Sequence, residues 1–387
     1  MKGSVLKSVV GIAQSIIGSA QVGDLDSGGI WIEGRDGFVE SKSSNDGCMV
    51  VTRKSDDCAL GRTILDGTSL YKVSGAVGSD NVEIIKEGGA VKFRQDHLHV
   101  SLNELTFRDF NPFMGDQAVA AQVDIEASVL KSIWSSGEKT CAESNGSDIL
   151  DGMKWDINGQ VMTWTVSDGR TSLWKHSIKS EKTLSDKPIS GVVSAEHIRS
   201  AIKTLDKVDG SNVKLLFWDN DLATGFVSFD GVENSEVKPS IEDKKDGTLF
   251  IMRNKRTKFA NTDQVFNNNA NRGDTIEADI GELASLLRSV AVFADKSSNV
   301  KISIQDSSVE FSIDSKEGNV NNSIQINGDG RVYSLALGYV KMDKCIQTLK
   351  SLSKDGRVIM HPGDGTTPAV FESVDKSTTF ILAVVKV

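Results

Sequence analysis

Residues 280–313 read IGELASLLRSVAVFADKSSNVKISIQDSSVEFSI. Ile280, Leu283, Leu286, Leu287, Val290 and Ala291 recur at three- and four-residue spacing, which places them on one face of an α-helix. Val300, Ile302 and Ile304 then alternate with Lys301 and Ser303, the period-two pattern of a half-buried strand. Asp306, Ser307 and Ser308 supply a turn, and Val309, Phe311 and Ile313 alternate on the way back. The unit is a helix that runs into an antiparallel hairpin.

The same phrase recurs on either side of this stretch. Ile198, Ala201, Ile202 and Leu205 form a helical stripe, followed by alternating runs at 213–218 and 224–229 around Asp219, Asn220 and Asp221. Cys345, Ile346 and Leu349 precede an apolar run at 358–360. Val5, Leu6, Val9, Val10, Ala13, Ile16 and Ile17 supply another helix near the start, and residues 64–77 one more. The turn-to-strand junctions are alike: Ser79-Asp80-Asn81-Val82, Gly210-Ser211-Asn212-Val213, Ser298-Asn299-Val300 and Asp355-Gly356-Arg357-Val358. Self-similarity of this kind carries more weight than any single motif. About six helices, each leading into antiparallel strands, pair into an α+β chain of three tandem domains. The pattern resets at residues 113–117 and at the polar run 267–273, which gives domains at 1–116, 117–268 and 269–387.

The composition fits such a chain. In 387 residues there are 35 glycines and only five prolines, which favours short elements joined by tight turns. The net charge of −9 argues against a protein that grips nucleic acid over its whole surface, but not against one that keeps its cations on one inner face. Cys48, Cys58, Cys141 and Cys345 form no CxxC pair and fit reduced thiols of a cytoplasmic protein. Residues 5–17 contain Lys7, Gln14 and Ser15, unlike a signal peptide, and no run approaches the ~18 apolar residues of a membrane span.

One phrase carries a resemblance. Leu150-Asp151-Gly152-Met153 leads through a strand pair to Ser167-Asp168-Gly169-Arg170, and Phe107-Arg108-Asp109-Phe110-Asn111-Pro112 closes the first domain. In order, spacing and length the chain resembles the bacterial sliding clamp, the β subunit of the replicative DNA polymerase. That family has a Gly-Met strand, a Thr-Asp-Gly-His-Arg-Leu motif and a Phe-Pro phrase at these places. The chain departs from the family at Arg170, Thr171 and Ser172, where the family has His-Arg-Leu. It departs again at Ala383, Val384, Val385, Lys386 and Val387, where the family has Met-Pro-Met-Arg-Leu. It resembles a divergent clamp, with altered partner preference and a phage origin among the possibilities.

The resemblance implies a non-enzymatic processivity factor that works without a cofactor. Its chains close head to tail as a homodimeric ring with helices inside and sheets outside. Its partners would be encircled double-stranded DNA, a DNA polymerase and a clamp loader, with no membrane. The implied partner groove comprises Leu150, Ser167, Gly169, Arg170, Thr171, Ser172, Val265, Phe266, Ile381, Ala383, Val384, Val385, Lys386 and Val387. A linear motif would insert its hydrophobic end there. The implied DNA channel carries Lys7, Lys72, Lys131, Arg199, Lys203, Lys207, Arg288, Lys341, Lys344 and Lys350. A topological ring needs cations enough to centre the phosphates and loose enough to slide.

Other chemistry is weak in this sequence. His97 and His99 share one strand face but have no third ligand nearby. Gly363-Asp364-Gly365-Thr366-Thr367 lacks the Lys-Ser/Thr of a phosphate loop and reads as a hairpin turn. There is no Gly-x-Ser-x-Gly elbow and no conspicuous carboxylate pair, so no catalytic or metal site is expected. The alternative reading is a clamp-fold scaffold or decoy that binds replication proteins without encircling DNA.

Overall fold

The computed structural model describes residues 1–17, 28–45, 47–106, 119–141, 152–208, 210–218, 223–229, 246–256, 259–270, 272–305, 307–314, 318–328, 330–363 and 366–385. They form two compact units, one of residues 1–131 and 196–255, the other of residues 132–195 and 256–387. Strands and helices are numbered along the whole chain.

In the first unit, β1 (Gly29–Arg35), β2 (Phe38–Ser44), β3 (Cys48–Ser55), β4 (Gly61–Asp66), β8 (Val119–Glu126), β13 (Asn212–Trp218), β14 (Ala223–Phe229) and β15 (Gly247–Arg253) form one antiparallel sheet. Its order is β4-β1-β2-β3-β15-β14-β13-β8. At the β3–β15 seam Val50 faces Phe250 and Met49 faces Ile251, so apolar side chains meet across it. The Thr52 and Thr248 hydroxyls lie 2.9 Å apart on the same seam. A smaller sheet holds β5 (Glu83–Glu87), β6 (Ala90–Gln95) and β7 (Leu98–Asn103) in that order.

The helix α1 (Gly3–Ala13) buries Leu6, Val9, Val10 and Ile12. The Ser41 and Ser43 hydroxyls of β2 donate to its Val9 and Ala13 carbonyls at 2.8 and 2.7 Å, which fixes it on the sheet. The helix expected over 64–77 starts later: residues 64–66 end β4, and α2 spans Gly67–Ala76. The cause is local, because the Asp66 carboxylate accepts the Ser69 N–H at 2.8 Å and caps the first turn. α3 (Ala127–Cys141) follows β8, and α4 (Ala195–Leu205) precedes β13. The Thr204 hydroxyl of α4 meets that of Ser15 at 2.6 Å.

The second unit repeats the plan. β9 (Met153–Gly159), β10 (Val161–Ser167), β11 (Ser172–Lys179), β12 (Ser185–Val193), β16 (Ile276–Asp279), β21 (Arg357–His361), β22 (Ala369–Ser373) and β23 (Thr378–Leu382) form a second antiparallel sheet. Its order is β12-β9-β10-β11-β23-β22-β21-β16. A buried aromatic row crosses it. Trp155 faces Trp164, Trp164 faces His176, and Trp174 faces Phe380. The stretch that opened the sequence reading forms α6 (Ile280–Val290) and the hairpin β17 (Asn299–Gln305) and β18 (Ser308–Asp314), with Ile302 facing Phe311. With β19 (Asn319–Gln325) and β20 (Tyr333–Gly338) the hairpin makes a sheet in the order β19-β18-β17-β20. α7 (Tyr339–Leu352) precedes β21.

The polar run 267–273 is not all irregular, because residues 267–269 complete a short helix, α5 (Asp263–Asn269). Residues 113–117 lie outside the described residues. Each large sheet pairs strands from both sides of an expected boundary, β3 with β15 and β11 with β23. Among the described residues no helix is long and apolar enough to cross a membrane.

Candidate functional site

The loop between β10 and β11 is organised by Asp168. Its carboxylate accepts the N–H groups of Arg170, Thr171 and Ser172 at 3.0, 2.9 and 2.9 Å and the Thr171 hydroxyl at 2.7 Å. Lys341, in the first turn of α7, reaches the same carboxylate at 2.7 Å. Burial opposes the charge on Asp168, but the hydrogen bonds outweigh it and hold the carboxyl below its usual range. Burial and the neighbouring Lys344 charge push the Lys341 ammonium down to about 8.

This loop places Ser167 and Ser172 inward and leaves Gly169, Arg170 and Thr171 exposed. The Thr171 carbonyl accepts the Ala383 N–H at 2.8 Å, and the Ala336 carbonyl accepts that of Val385 at 2.9 Å. The C-terminal segment therefore runs from the loop to β20, with Ala383, Val384 and Val385 half-buried. On one face of β11, β23 and β22, Leu173 faces Ile381 and Ile381 faces Val370. These three are buried, and half-buried Phe266 from α5 packs against them. The Lys175 ammonium, on the same face two residues after Leu173, lies 5.3 Å from the Phe266 ring centroid. Val265 beside it is exposed.

The structure thus brings together the 167–172 loop, Phe266, Ile381 and the segment 383–385. Leu150, Lys386 and Val387 lie outside the described residues. Sequence reasoning missed Leu173, Val370 and Lys175. Leu173 and Lys175 share the alternation of their strand, which is a weak signal. Val370 carries none, because its neighbours are set by a register between distant segments. Asp168 stood in the quoted motif but was not singled out.

The basic residues divide into two sets. Lys7, Lys72, Lys203 and Lys350 are exposed and have no protein partner among the described residues. Arg199 is exposed but has an interaction within the protein, and Arg288 folds back on the Ala284 carbonyl at 3.2 Å. The others are engaged. Lys131 pairs with Asp206. Lys207 donates to the Gly11 carbonyl at 2.6 Å and lies 5.7 Å from the Tyr71 ring centroid. Burial and the Lys203 charge lower the pKa of Lys207. Lys341 holds Asp168, and Lys344 donates to the Lys139 carbonyl at 2.9 Å. Helical spacing alone does not reveal which lysines meet a carbonyl or carboxylate on a neighbouring segment.

The stripes of Ile198, Ala201, Ile202 and Leu205 and of Cys345, Ile346 and Leu349 lie on α4 and α7. Among the described residues no three His, Cys, Asp or Glu side chains are grouped to hold a metal ion. His99 lies exposed on β7, and His97 lies in the turn before it.

Comparison with known proteins finds no matching family model and no matching curated relative. Solved structures do match. A DNA polymerase III beta subunit of Eubacterium rectale superposes with a TM-score of 0.81 at 13% identity, covering 100% of this chain and 98% of that one. The DNA polymerase III beta subunit of Pseudomonas aeruginosa gives 0.80 at 13% identity, over 100% and 99%. That of Thermotoga maritima gives 0.77 at 15%, over 100% and 98%. The chain is α+β and has the fold of these beta subunits along its whole length.

Proposed function

We propose that this chain is a DNA sliding clamp, a processivity factor that encircles duplex DNA and tethers a polymerase. The observation that carries the reading is the full-length likeness to DNA polymerase III beta subunits, with a TM-score of 0.81 at 100% coverage. The helices add exposed cations at Lys7, Lys72, Arg199, Lys203 and Lys350 on a chain whose net charge is −9. Exposed cations on helices suit a ring that must hold phosphates without locking onto them. The division into 1–116, 117–268 and 269–387 follows the same reading.

Two chains close the ring head to tail. Among the described residues, the edge strands β7 and β19 are paired on one side only in their sheets. β19 has no charged residue, and β7 has only His99 as an ionisable group, so neither edge is blunted against pairing. Val292, next to α6, is 73% exposed and offers an apolar contact on the β19 side. A strand-to-strand joint of this kind is satisfied by main-chain hydrogen bonds, with Val292 excluding water. The groove of Ser167–Ser172, Phe266, Ile381 and residues 383–385 would take a polymerase or a clamp loader.

The test is retention on DNA. The protein, loaded on nicked circular DNA by a clamp loader, should stay bound through gel filtration in ~0.5 M salt and be lost when the circle is linearised, because linkage is topological rather than ionic. Equal loss from circular and linear DNA would sink the proposal. The scaffold reading, a clamp fold that binds replication proteins without DNA, draws on the engagement of Lys131, Lys207, Lys341 and Lys344 within the protein. It predicts a groove that binds partners and a chain that no loader retains on circles.

A further inference from the structure

The apolar patch of Leu173, Val370 and Ile381 is not open in the structure, because the Phe266 ring lies on it. The helix that brings Phe266 there is weakly held. α5 has seven residues and none of them is buried. A helix of that length is not stable by its own hydrogen bonds in water. The Thr262 side chain makes no capping bond. The hydrogen bonds found for residues 261–270 stay within that segment: Val265 and Phe266 N–H to the Thr262 carbonyl, Asn269 to the Val265 carbonyl, Ala270 N–H to Asn267, and Asp263 N–H to the Asn261 side chain. Phe266 packs α5 onto the sheet, with the Lys175 ammonium 5.3 Å from its ring centroid.

We infer that Phe266 is a self-cap of the partner groove, holding the place of a partner's apolar side chain until a partner displaces it. This rests on the groove reading above and adds to it a competitor built into the chain. The chemistry of the displacing partner follows from what Phe266 covers. Leu173, Val370 and Ile381 present an aliphatic floor that accepts a large apolar side chain. Lys175 loses its π-face when the ring leaves and then needs an anion, and Arg170 is exposed on the neighbouring loop. The fitting partner is an extended peptide with a carboxylate next to a large apolar residue. Binding it must offset the release of Phe266, so the apparent affinity is lowered by the fraction of chains in which α5 is closed.

The experiment uses the full chain and a fluorescein-labelled peptide ending in Asp-Leu-Phe, followed by anisotropy. Phe266→Ser should bind the peptide roughly 3- to 30-fold more tightly than the parent, the direction expected when a competing closed state is removed. Leu173→Asp should abolish binding in both backgrounds. Hydrogen exchange should show the amides of residues 263–269 exchanging faster when the peptide is bound. Weaker or unchanged binding by Phe266→Ser would overturn the inference, since the ring would then be a wall of the groove or a bystander. Failure of both proteins to bind, with retention on nicked circles intact, would overturn the groove assignment and the self-cap together while leaving the clamp reading in place.

Discussion

His176 stands where the two halves of the second large sheet join. Its Nδ1 lies 2.8 Å from the Thr378 hydroxyl of β23, and its ring stacks on Trp174. Burial pushes the imidazole down to about 4, against a small pull from Asp375. Between that value and the ordinary 6.5 the unfolded chain binds a proton that the folded chain refuses. The stability due to neutral His176 is therefore complete above pH 6.5 and is lost as pH falls towards 4. By pH 5 the loss should be roughly 2 kcal/mol. Urea midpoints at pH 7.5 and 5 should fall further apart for the parent than for His176→Gln. Arg53 and Glu40 make a second prediction, because both are buried and their side chains meet at 2.6 Å. Arg53→Met should cost on the order of 1.5–3 kcal/mol through loss of its charged hydrogen bonds, the Lys42 ammonium at 2.8 Å still holding the carboxylate, seen as a lower denaturant midpoint. Neither role was legible in the sequence. A histidine and an arginine within strand patterns read as surface residues until the opposing strand is known.

At the level of elements, what repeats locally was legible and what pairs at a distance was not. The stripe of Ile280, Leu283, Leu286, Leu287 and Val290 marked α6, and its hairpin followed from simple alternation. The start of α2 was misplaced because an apolar Ile64–Leu65 pair fits a helix as well as a strand, and only the Asp66 cap separates them. Asp66→Ala should cost about 1 kcal/mol through loss of that cap. The neighbours β3 and β15 leave no mark on one another in the sequence, and the packing of Val370 against Ile381 is hidden for the same reason. Gly225 shows how tight such pairing is, since a Cβ there would lie 2.3 Å from the Phe250 carbonyl oxygen. Gly225→Ala should lower the stability of the first unit by at least ~2 kcal/mol, because the obstacle is backbone and cannot turn aside. Thermal melts of the two variants would rank the cap below the steric clash.

For the molecule as a whole, the resemblance read from scattered phrases and the full-length structural likeness point to the same fold, although identity to the matched structures is only 13–15%. Fold tolerates such divergence because the apolar pattern fixes it. The 167–172 loop and the C-terminal segment are where the sequence departs from the pattern it otherwise resembles. Ring closure is testable by mass. Light scattering should give about twice the 41.7 kDa of the chain, persisting on dilution. Val292→Asp should shift that equilibrium at least ~10-fold towards monomer, as burying an unpaired carboxylate costs more than 1.4 kcal/mol. An unchanged mass would place the joint elsewhere.

The β3–β15 seam also sets a schedule for synthesis. Thr52 and Gly247, which it joins, are 195 residues apart in the chain. At roughly 5–20 residues per second, a ribosome takes on the order of 10–40 s to deliver the partner of β3. Throughout that interval the edge carrying Cys48, Met49, Val50 and Val51 has emerged without its mate. Lys54 at its far end is then the chain's own guard against pairing with a neighbouring nascent chain. Slower translation should raise the demand for chaperones in proportion to this wait, although the finished sheet would be unchanged.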